Sequence, residues 1–260
     1  NISLILNISP DHLERHKTIN KYVSAKFKLI ENQFKEDIAI LNTKNFYIKK
    51  KLESKKFLSK IIKIDKNIES IYLKKINNEF FNSDGNKENL KFILEVAKIL
   101  KLKKNFLIKT LRKFKGLKYR QEIIFKSDRL TIINDSKATT FSSSVSLLKS
   151  LNNVYWIIGG QAKKGDKILL PKKSCKSIKA YVFGNNKNFF ISKIKKLMKY
   201  ETFLDLKDLV KKLSLEIRFD KDTTHKTILF SPAAASFDNF KNFEERGEYF
   251  NQLIKKYINV

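Results

Sequence analysis

Ile132-Ile133-Asn134-Asp135-Ser136-Lys137-Ala138-Thr139-Thr140 is the stretch whose reading decides the fold. A β-branched run beginning at Thr131 stops at four polar residues, and a serine-rich segment with helical apolar spacing follows. A strand's carboxyl end thus delivers polar groups into a turn, which is where open α/β sheets place ligands. Asp135 suits a metal or a basic partner, Lys137 an anion, and the hydroxyls of Thr139 and Thr140 a helix cap or a phosphate. Without further context the same residues also describe a plain strand-to-helix connection with Asp and Thr as caps.

Outward from this stretch, toward the carboxyl end, strands and helices alternate as in a doubly wound sheet. The patterns predict strands at 121–126, 129–133, 154–158, 180–183 and 227–230, and helices at 141–151, 189–199, 206–218 and 243–257. Right-handed crossovers would bring Asp135, Gly159 and Ser231 to one edge of the sheet. Toward the amino end, residues 2–6 read as a buried strand, with Ser9 as a cap, Pro10 in a first helical turn and a helix reaching about Asn32. A second strand is expected at 37–42, a helix from Asn86 or Lys87 through Leu100, and another at 106–114 that Gly116 stops. The expected domains are therefore 1–116 and 117–260.

At 260 residues and 42% hydrophobic, the chain is long enough for two cores. Its formal charge of +29 raises the question of nucleic acid or an anionic membrane. The cations are overwhelmingly lysine and scattered through every segment, however, whereas base and phosphate readers lean on arginine's planar fork. Neither a nucleic-acid nor a membrane partner is expected, and a phosphate-rich small substrate fits the charge equally well. The single cysteine, Cys175, excludes an internal disulfide and suits a reducing compartment. No apolar run approaches the ~20 residues that span a bilayer and no signal-peptide pattern opens the chain, so a soluble cytoplasmic protein is the expectation; a monomer is expected as well. Asn1 opens the sequence and the only methionine, Met198, lies deep inside it, so the chain is expected to be a fragment.

Four further clusters offer chemistry. Asp11-His12 combines hard oxygen and imidazole, a pairing suited to a divalent metal, although a single histidine near a helix start also serves as a cap. Lys26 follows the small Ser24 and Ala25, and a crowded lysine becomes nucleophilic, even toward carbon dioxide; a solvated helix face is the alternative. Gly159-Gly160-Gln161-Ala162-Lys163 lets backbone approach a ligand with a lysine beside it, yet it is neither a dinucleotide fingerprint nor a P-loop. Ser231-Pro232-Ala233-Ala234-Ala235-Ser236-Phe237-Asp238 packs closely enough to admit a substrate, and Phe240 to Gly247 follows with aromatic and charged residues. The three histidines, His12, His16 and His225, form no hydrolase triad motif.

Taken together these stretches resemble the Mur ligases. Asn7-Ile8-Ser9-Pro10-Asp11-His12-Leu13-Glu14-Arg15-His16 is similar to that family's central-domain motif, and Tyr22-Val23-Ser24-Ala25-Lys26 to the segment bearing its carbamylated lysine. Asn86 and Asn89 match its Asn-x-x-Asn nucleotide region, Arg120 its ATP-side arginine, and Asn134 to Thr139 its carboxyl-domain motif, with Gly-Gly-x-x-Lys and Ser-Pro-Ala-x-Ala-Ser completing the order. The resemblance implies an α/β architecture in which a partial central ATPase-type domain precedes a Rossmann-like doubly wound carboxyl-terminal domain. It also implies an ADP-forming ligase that uses ATP and Mg2+ to add D-glutamate to UDP-N-acetylmuramoyl-L-alanine through an acyl phosphate. By the same resemblance His12 and Lys26, as a carbamate, ligate magnesium, Asn86, Asn89, Arg120 and Asp135 serve the nucleotide, and Lys137 acts in catalysis. Thr139, Lys163, Ser236, Phe237 and Phe243 would hold D-glutamate or the reacting carboxylate. Two departures stand out: Gly85 replaces a frequent histidine before the first asparagine, and Ala234 a common cysteine. The family's UDP-binding domain, P-loop and magnesium-sharing glutamate are expected upstream of Asn1. This chain by itself is therefore expected to be inactive, and a non-catalytic nucleotide- or amino-acid-binding remnant is the alternative.

Overall fold

Strands alternate with helices along the chain, and the computed structural model, which describes residues 1–10, 13–64, 68–163 and 165–258, divides them between two compact units, Asn1–Phe114 and Lys115–Val260.

The first unit contains β1 (Ile2–Ile5), α1 (Leu13–His16), α2 (Ile19–Glu31), β2 (Ile38–Leu41), α3 (Phe46–Ser54), β3 (Lys60–Lys63), α4 (Glu69–Ile76), a 3-10 turn (Glu79–Asn82), α5 (Asp84–Ile99) and α6 (Lys104–Lys113). Its three strands form a parallel sheet in the order β1-β2-β3. Val23, Phe27 and Ile30 recur at helical spacing on α2 and pack with Ile5, Ala39, Leu41 and Ile48. The single helix expected from Pro10 to Asn32 is in fact broken. Lys17 adopts φ 63, and Thr18 begins α2 anew by accepting the Lys21 amide at 3.2 Å. Helix α5 starts two residues ahead of Asn86, because the Ser83 hydroxyl caps it.

The second unit contains β4 (Glu122–Lys126), β5 (Leu130–Asn134), α7 (Phe141–Leu148), β6 (Val154–Gly159), α8 (Lys172–Cys175), β7 (Ile178–Phe183), α9 (Lys187–Ile194), β8 (Lys199–Phe203), α10 (Leu206–Phe219), β9 (Lys226–Phe230) and α11 (Phe243–Tyr257). Six strands run in the order β4-β5-β9-β6-β7-β8, with β4 antiparallel and the others parallel. Alternate strand residues serve opposite layers. Ile133, Trp156, Ile158 and Leu229 pack with α7 and α9, whereas Ile132, Ile157, Ile228 and Phe230 pack with α10 and α11. On α10, Leu206, Leu209, Val210 and Leu213 form the buried stripe, each contributing about 1.5–3 kcal/mol of apolar burial.

Two strands escaped the sequence patterns, β3 in a lysine-rich stretch of the first unit and β8 in the second. The helix expected over 189–199 ends at Ile194, and Lys199–Phe203 leaves it to become the edge strand β8. None of the five β8 residues is fully buried, so the strand lacks the apolar signature of its neighbours and is held by pairing to β7. Helix α7 likewise stops at Leu148, short of Leu151.

Register places the important ends together. Asn134 pairs with Phe230 across β5 and β9, and Phe230 pairs with Ile157 across β9 and β6. The residues at each strand's end, Asp135, Ser231 and Gly159–Gly160, therefore emerge side by side at the carboxyl edge.

Candidate functional site

Four polar residues after β5 are tied down one by one. Asn134 is buried, its Nδ2 donating to Gly247 O at 2.8 Å and to Asn251 Oδ1 at 2.7 Å, while its Oδ1 accepts the Ser136 amide at 3.1 Å. Asp135 turns inward, with Oδ1 accepting from Gln121 N at 3.1 Å and Oδ2 from the Ser231 hydroxyl at 2.8 Å. The Ser144 hydroxyl lies 2.7 Å from that of Ser231. Burial pushes the Asp135 carboxyl up to about 7, against the opposing pull of these hydrogen bonds and of Arg120. Ser136 Oγ donates to Phe243 O at 2.8 Å. Lys137 donates its amide to Tyr119 O at 3.0 Å and stands its ammonium 3.9 Å from the Phe243 ring centre, within cation–π range.

Arg246, on α11, joins the three turns at this edge. Its side chain is fully buried, Nε donating to Ser136 Oγ at 3.1 Å and Nη2 to Ser136 O at 2.7 Å. Among the described residues its Nη1 is buried without a hydrogen-bond partner. That nitrogen lies against Gly160, where an added Cβ would sit 3.0 Å from it and 2.7 Å from Ala235 O, at a φ of +129. Only glycine is accommodated there without strain. Beside it, Gln161 and Ala235 exchange amide hydrogen bonds at 2.9 and 3.1 Å, so the turn after β6 and the turn after β9 form one short antiparallel bridge. Burial lowers the Arg246 guanidinium to about 10, and the charge of Asp238 opposes that shift.

Arg120 stands at the exposed tip of a loop held by its neighbours. Tyr119 and Gln121 on either side have φ 60 and 51, an arrangement that costs energy in non-glycine residues. The compensation is local: the Tyr119 ring fills the space over Gly247, where a Cβ would come within 2.4 Å of it, and its hydroxyl donates to Glu248 Oε2 at 2.9 Å. Burial and that carboxylate push the Tyr119 phenol up to about 12. The Tyr119 amide donates to Glu122 Oε2 at 2.9 Å.

With this geometry in view, the chain can be set beside known proteins. Residues 1–106 match the Mur ligase middle domain. The UDP-N-acetylmuramoylalanine–D-glutamate ligase of Rickettsia bellii is 34% identical over 272 residues, covering 97% of this chain and 60% of the relative. Residues 1–106 carry the likeness to the Mur ligase middle domain, and the similarity to these ligases runs along nearly the whole chain. It spans about 60% of the length of the curated relatives it matches. MurF from Acinetobacter baumannii superposes with a TM-score of 0.67 at 12% identity over 100% of this chain and 60% of that one. MurF of Thermotoga maritima, in complex with ADP, gives 0.64 at 14% identity over 99% and 62%. At such identities the likeness establishes the Mur ligase fold.

Against that background, the expected site residues fall into distinct settings. Lys137 and Phe243 are in contact, and Thr139 is half-buried just ahead of α7. Ser236 is buried in the turn after β9, its carbonyl accepting the Phe240 amide at 2.9 Å, whereas Phe237 next to it is 71% exposed. Lys163 is half-buried beyond the Gln161–Ala235 bridge. In the first unit, Asn86 is buried with Nδ2 donating to Phe80 O at 2.7 Å, and Asn89 is half-buried on α5. Lys26 is exposed on α2, 5.3 Å from the Tyr22 ring centre, rather than in a crowded pocket. His12 lies outside the described residues, so its expected link to Lys26 is not described either. No group of three or more His, Cys, Asp or Glu able to hold a metal occurs among the described residues. Those residues do not by themselves compose a magnesium site for the carbamate expected at Lys26.

Sequence reasoning gave no role to Ser136, Ser144, Ser231 or Arg246, although each holds the turns in place. Arg246 carried a usable signal. It is one of six arginines in a lysine-dominated chain, and it lies three residues after Phe243, on the same side of a helix.

Proposed function

We propose that this chain supplies the amino-acid-binding part, and a portion of the nucleotide-binding part, of an ATP-dependent ligase that joins D-glutamate to UDP-N-acetylmuramoyl-L-alanine in peptidoglycan precursor synthesis. The observation that carries the reading is the joining of three strand-end turns by Arg246, Gly160 and Ser136, which keeps Lys137 fixed against Phe243. Preorganised cations of this kind stabilise charge that develops during reaction without reorganising at that moment. The naming of the Rickettsia relative as a D-glutamate ligase, and the ADP bound by the Thermotoga protein, support the choice of substrates and nucleotide.

In the proposed reaction a carboxylate oxygen of UDP-N-acetylmuramoyl-L-alanine attacks the γ-phosphorus of ATP, and ADP departs. The D-glutamate amine then attacks the resulting acyl carbon, loses a proton, and expels phosphate as the amide forms. Arg120, exposed on its loop, would meet nucleotide phosphates, with Asn86 and Asn89 serving the adenine and ribose side. Lys137 would face the reacting carboxylate and phosphate, while Thr139, Lys163, Ser236 and the Phe243 region would hold D-glutamate. Asp135 would serve the nucleotide indirectly, by fixing the Arg120 loop through Gln121. Magnesium, when bound, supplies charge neutralisation at the phosphates. No helix among the described residues is long and apolar enough to cross a membrane.

The test is phosphate release by the full-length protein, which should require UDP-N-acetylmuramoyl-L-alanine and D-glutamate together. Release with another amino acid, but not with D-glutamate, would reject the substrate assignment. The 260-residue chain alone, in which no G-x-x-x-x-G-K-[ST] loop occurs, should show no such release.

A further inference from the structure

The connection from β6 to α8 carries Lys163 between two fixed points. Before the lysine, Gln161 is bridged to Ala235. After it, Asp166 binds in three directions: its Oδ2 accepts the Phe141 amide at 2.8 Å, its Oδ1 accepts the Lys167 amide at 2.9 Å, and its own amide donates to Lys163 O at 3.2 Å. Phe141 is the first residue of α7, and its ring is fully buried in the core. The acceptor on its amide is therefore anchored to an element that does not move with the loop. A carboxylate is favoured at this place, because the first amides of a helix lack partners within it and the helix dipole attracts negative charge. Thr140 already caps the same helix through the Ser143 amide at 3.3 Å. Asp166 thus adds a tie to another part of the chain rather than supplying a missing cap.

We propose that Asp166 is a positioning residue that sets Lys163 for the amino-acid substrate's carboxylate by clamping the lysine's turn to the amino end of α7, two residues beyond Thr139. The inference rests on Lys163 holding that carboxylate, as proposed above. The Phe141 amide is then engaged by the protein's own carboxylate, and the lysine side chain, rather than the helix end, is what the turn presents to substrate. Without the clamp the backbone at Lys163 loses an anchor, so D-glutamate binding weakens while nucleotide binding does not.

A double-mutant cycle in the full-length protein tests this, read as KM for D-glutamate and KM for ATP. Asp166→Ala should raise the KM for D-glutamate about tenfold, the equivalent of one charge-assisted hydrogen bond, with the KM for ATP unchanged. Lys163→Ala should raise it further, and adding Asp166→Ala to Lys163→Ala should produce no additional rise. Asp166→Asn keeps one acceptor for the Phe141 amide and should fall between wild type and Asp166→Ala; it carries the test if the alanine variant does not fold. An effect of Lys163→Ala with no effect of Asp166→Ala or Asp166→Asn would overturn the positioning role while leaving the site reading intact. Equal rises in both KM values, or full additivity in the double variant, would also overturn it. No effect of Lys163→Ala would refute the underlying site reading, and this inference with it.

Discussion

The turn after β5 and the segment after β1 begin from the same plan in sequence: an apolar strand, a burst of polar residues and then a helix, with a candidate lysine in the turn of the first and on the helix of the second. In the folded protein they part. Asn134, Asp135 and Ser136 are buried, and each polar side chain is spent on a partner from another element. Along the first segment the helix breaks at Lys17, and Lys26 stands exposed beside the Tyr22 ring. Similar motifs thus serve different ends. One turn is a rigid platform whose substitution should reach stability, and the other presents a side chain whose substitution should not.

The strongest way to break the platform is at its glycines. An added Cβ at Gly159 would lie 2.3 Å from Phe183 O, at a φ of +154, and a backbone carbonyl inside a parallel sheet has little room to yield. Gly159→Ala should cost the second unit about 4 kcal/mol in denaturant unfolding; a loss below about 1 kcal/mol would mean the sheet edge is plastic and the contrast false. A smaller effect is expected at Arg246. Arg246→Met removes two hydrogen bonds to Ser136 but relieves a buried charge with an unpartnered nitrogen, so a net loss of about 2 kcal/mol is expected. Stabilisation by Arg246→Met would show that the residue is held for ligand rather than for the platform.

Next in size is a pH effect. Because burial raises the Asp135 carboxyl to about 7 from an ordinary value near 3.9, the folded state holds its proton more tightly than the unfolded chain. The stability so contributed is complete below about pH 4 and is lost as the pH rises through about 7. Asp135→Asn keeps an acceptor for Gln121 and gains a donor toward Ser231, so its melting temperature should fall less than that of wild type between pH 5 and pH 8. Parallel pH curves would remove Asp135 as the titrating group. The smallest effect belongs to Lys26: Lys26→Ala should leave unfolding of the first unit within about 0.5 kcal/mol. A loss above about 1 kcal/mol would place this lysine in the packing and erase the difference between the two segments.

Much of this was legible in the sequence where a pattern repeats. Continuous apolar runs ending in polar or glycine turns marked β5, β6 and β9, and α11 runs from Phe243 to Tyr257 as its apolar spacing predicted. The order of motifs carried the resemblance to the Mur ligases. Less visible was β8, since an edge strand with no fully buried residue differs little from the end of a basic helix. The helix break at Lys17 was also hidden, because a lysine in left-handed geometry leaves no mark in composition. Asp166 and Arg246 were overlooked for a related reason: each acts on residues distant in the chain, and spacing arguments see only near neighbours.

By itself the sequence determined the α/β class, the positions of most strand ends and the resemblance to the Mur ligases, since these follow from local periodicity and from residue types in a fixed order. Tertiary structure alone decided what the polar residues at those ends do. Asn134, Asp135, Ser136, Thr139 and Lys137 are all candidates to meet a ligand when read in a row. Only packing shows that the first three face inward to partners in the turn after β9, on α11 and in the Arg120 loop. Burial makes an unpaired polar atom costly, so the fold spends those groups on itself and leaves outward positions for substrate.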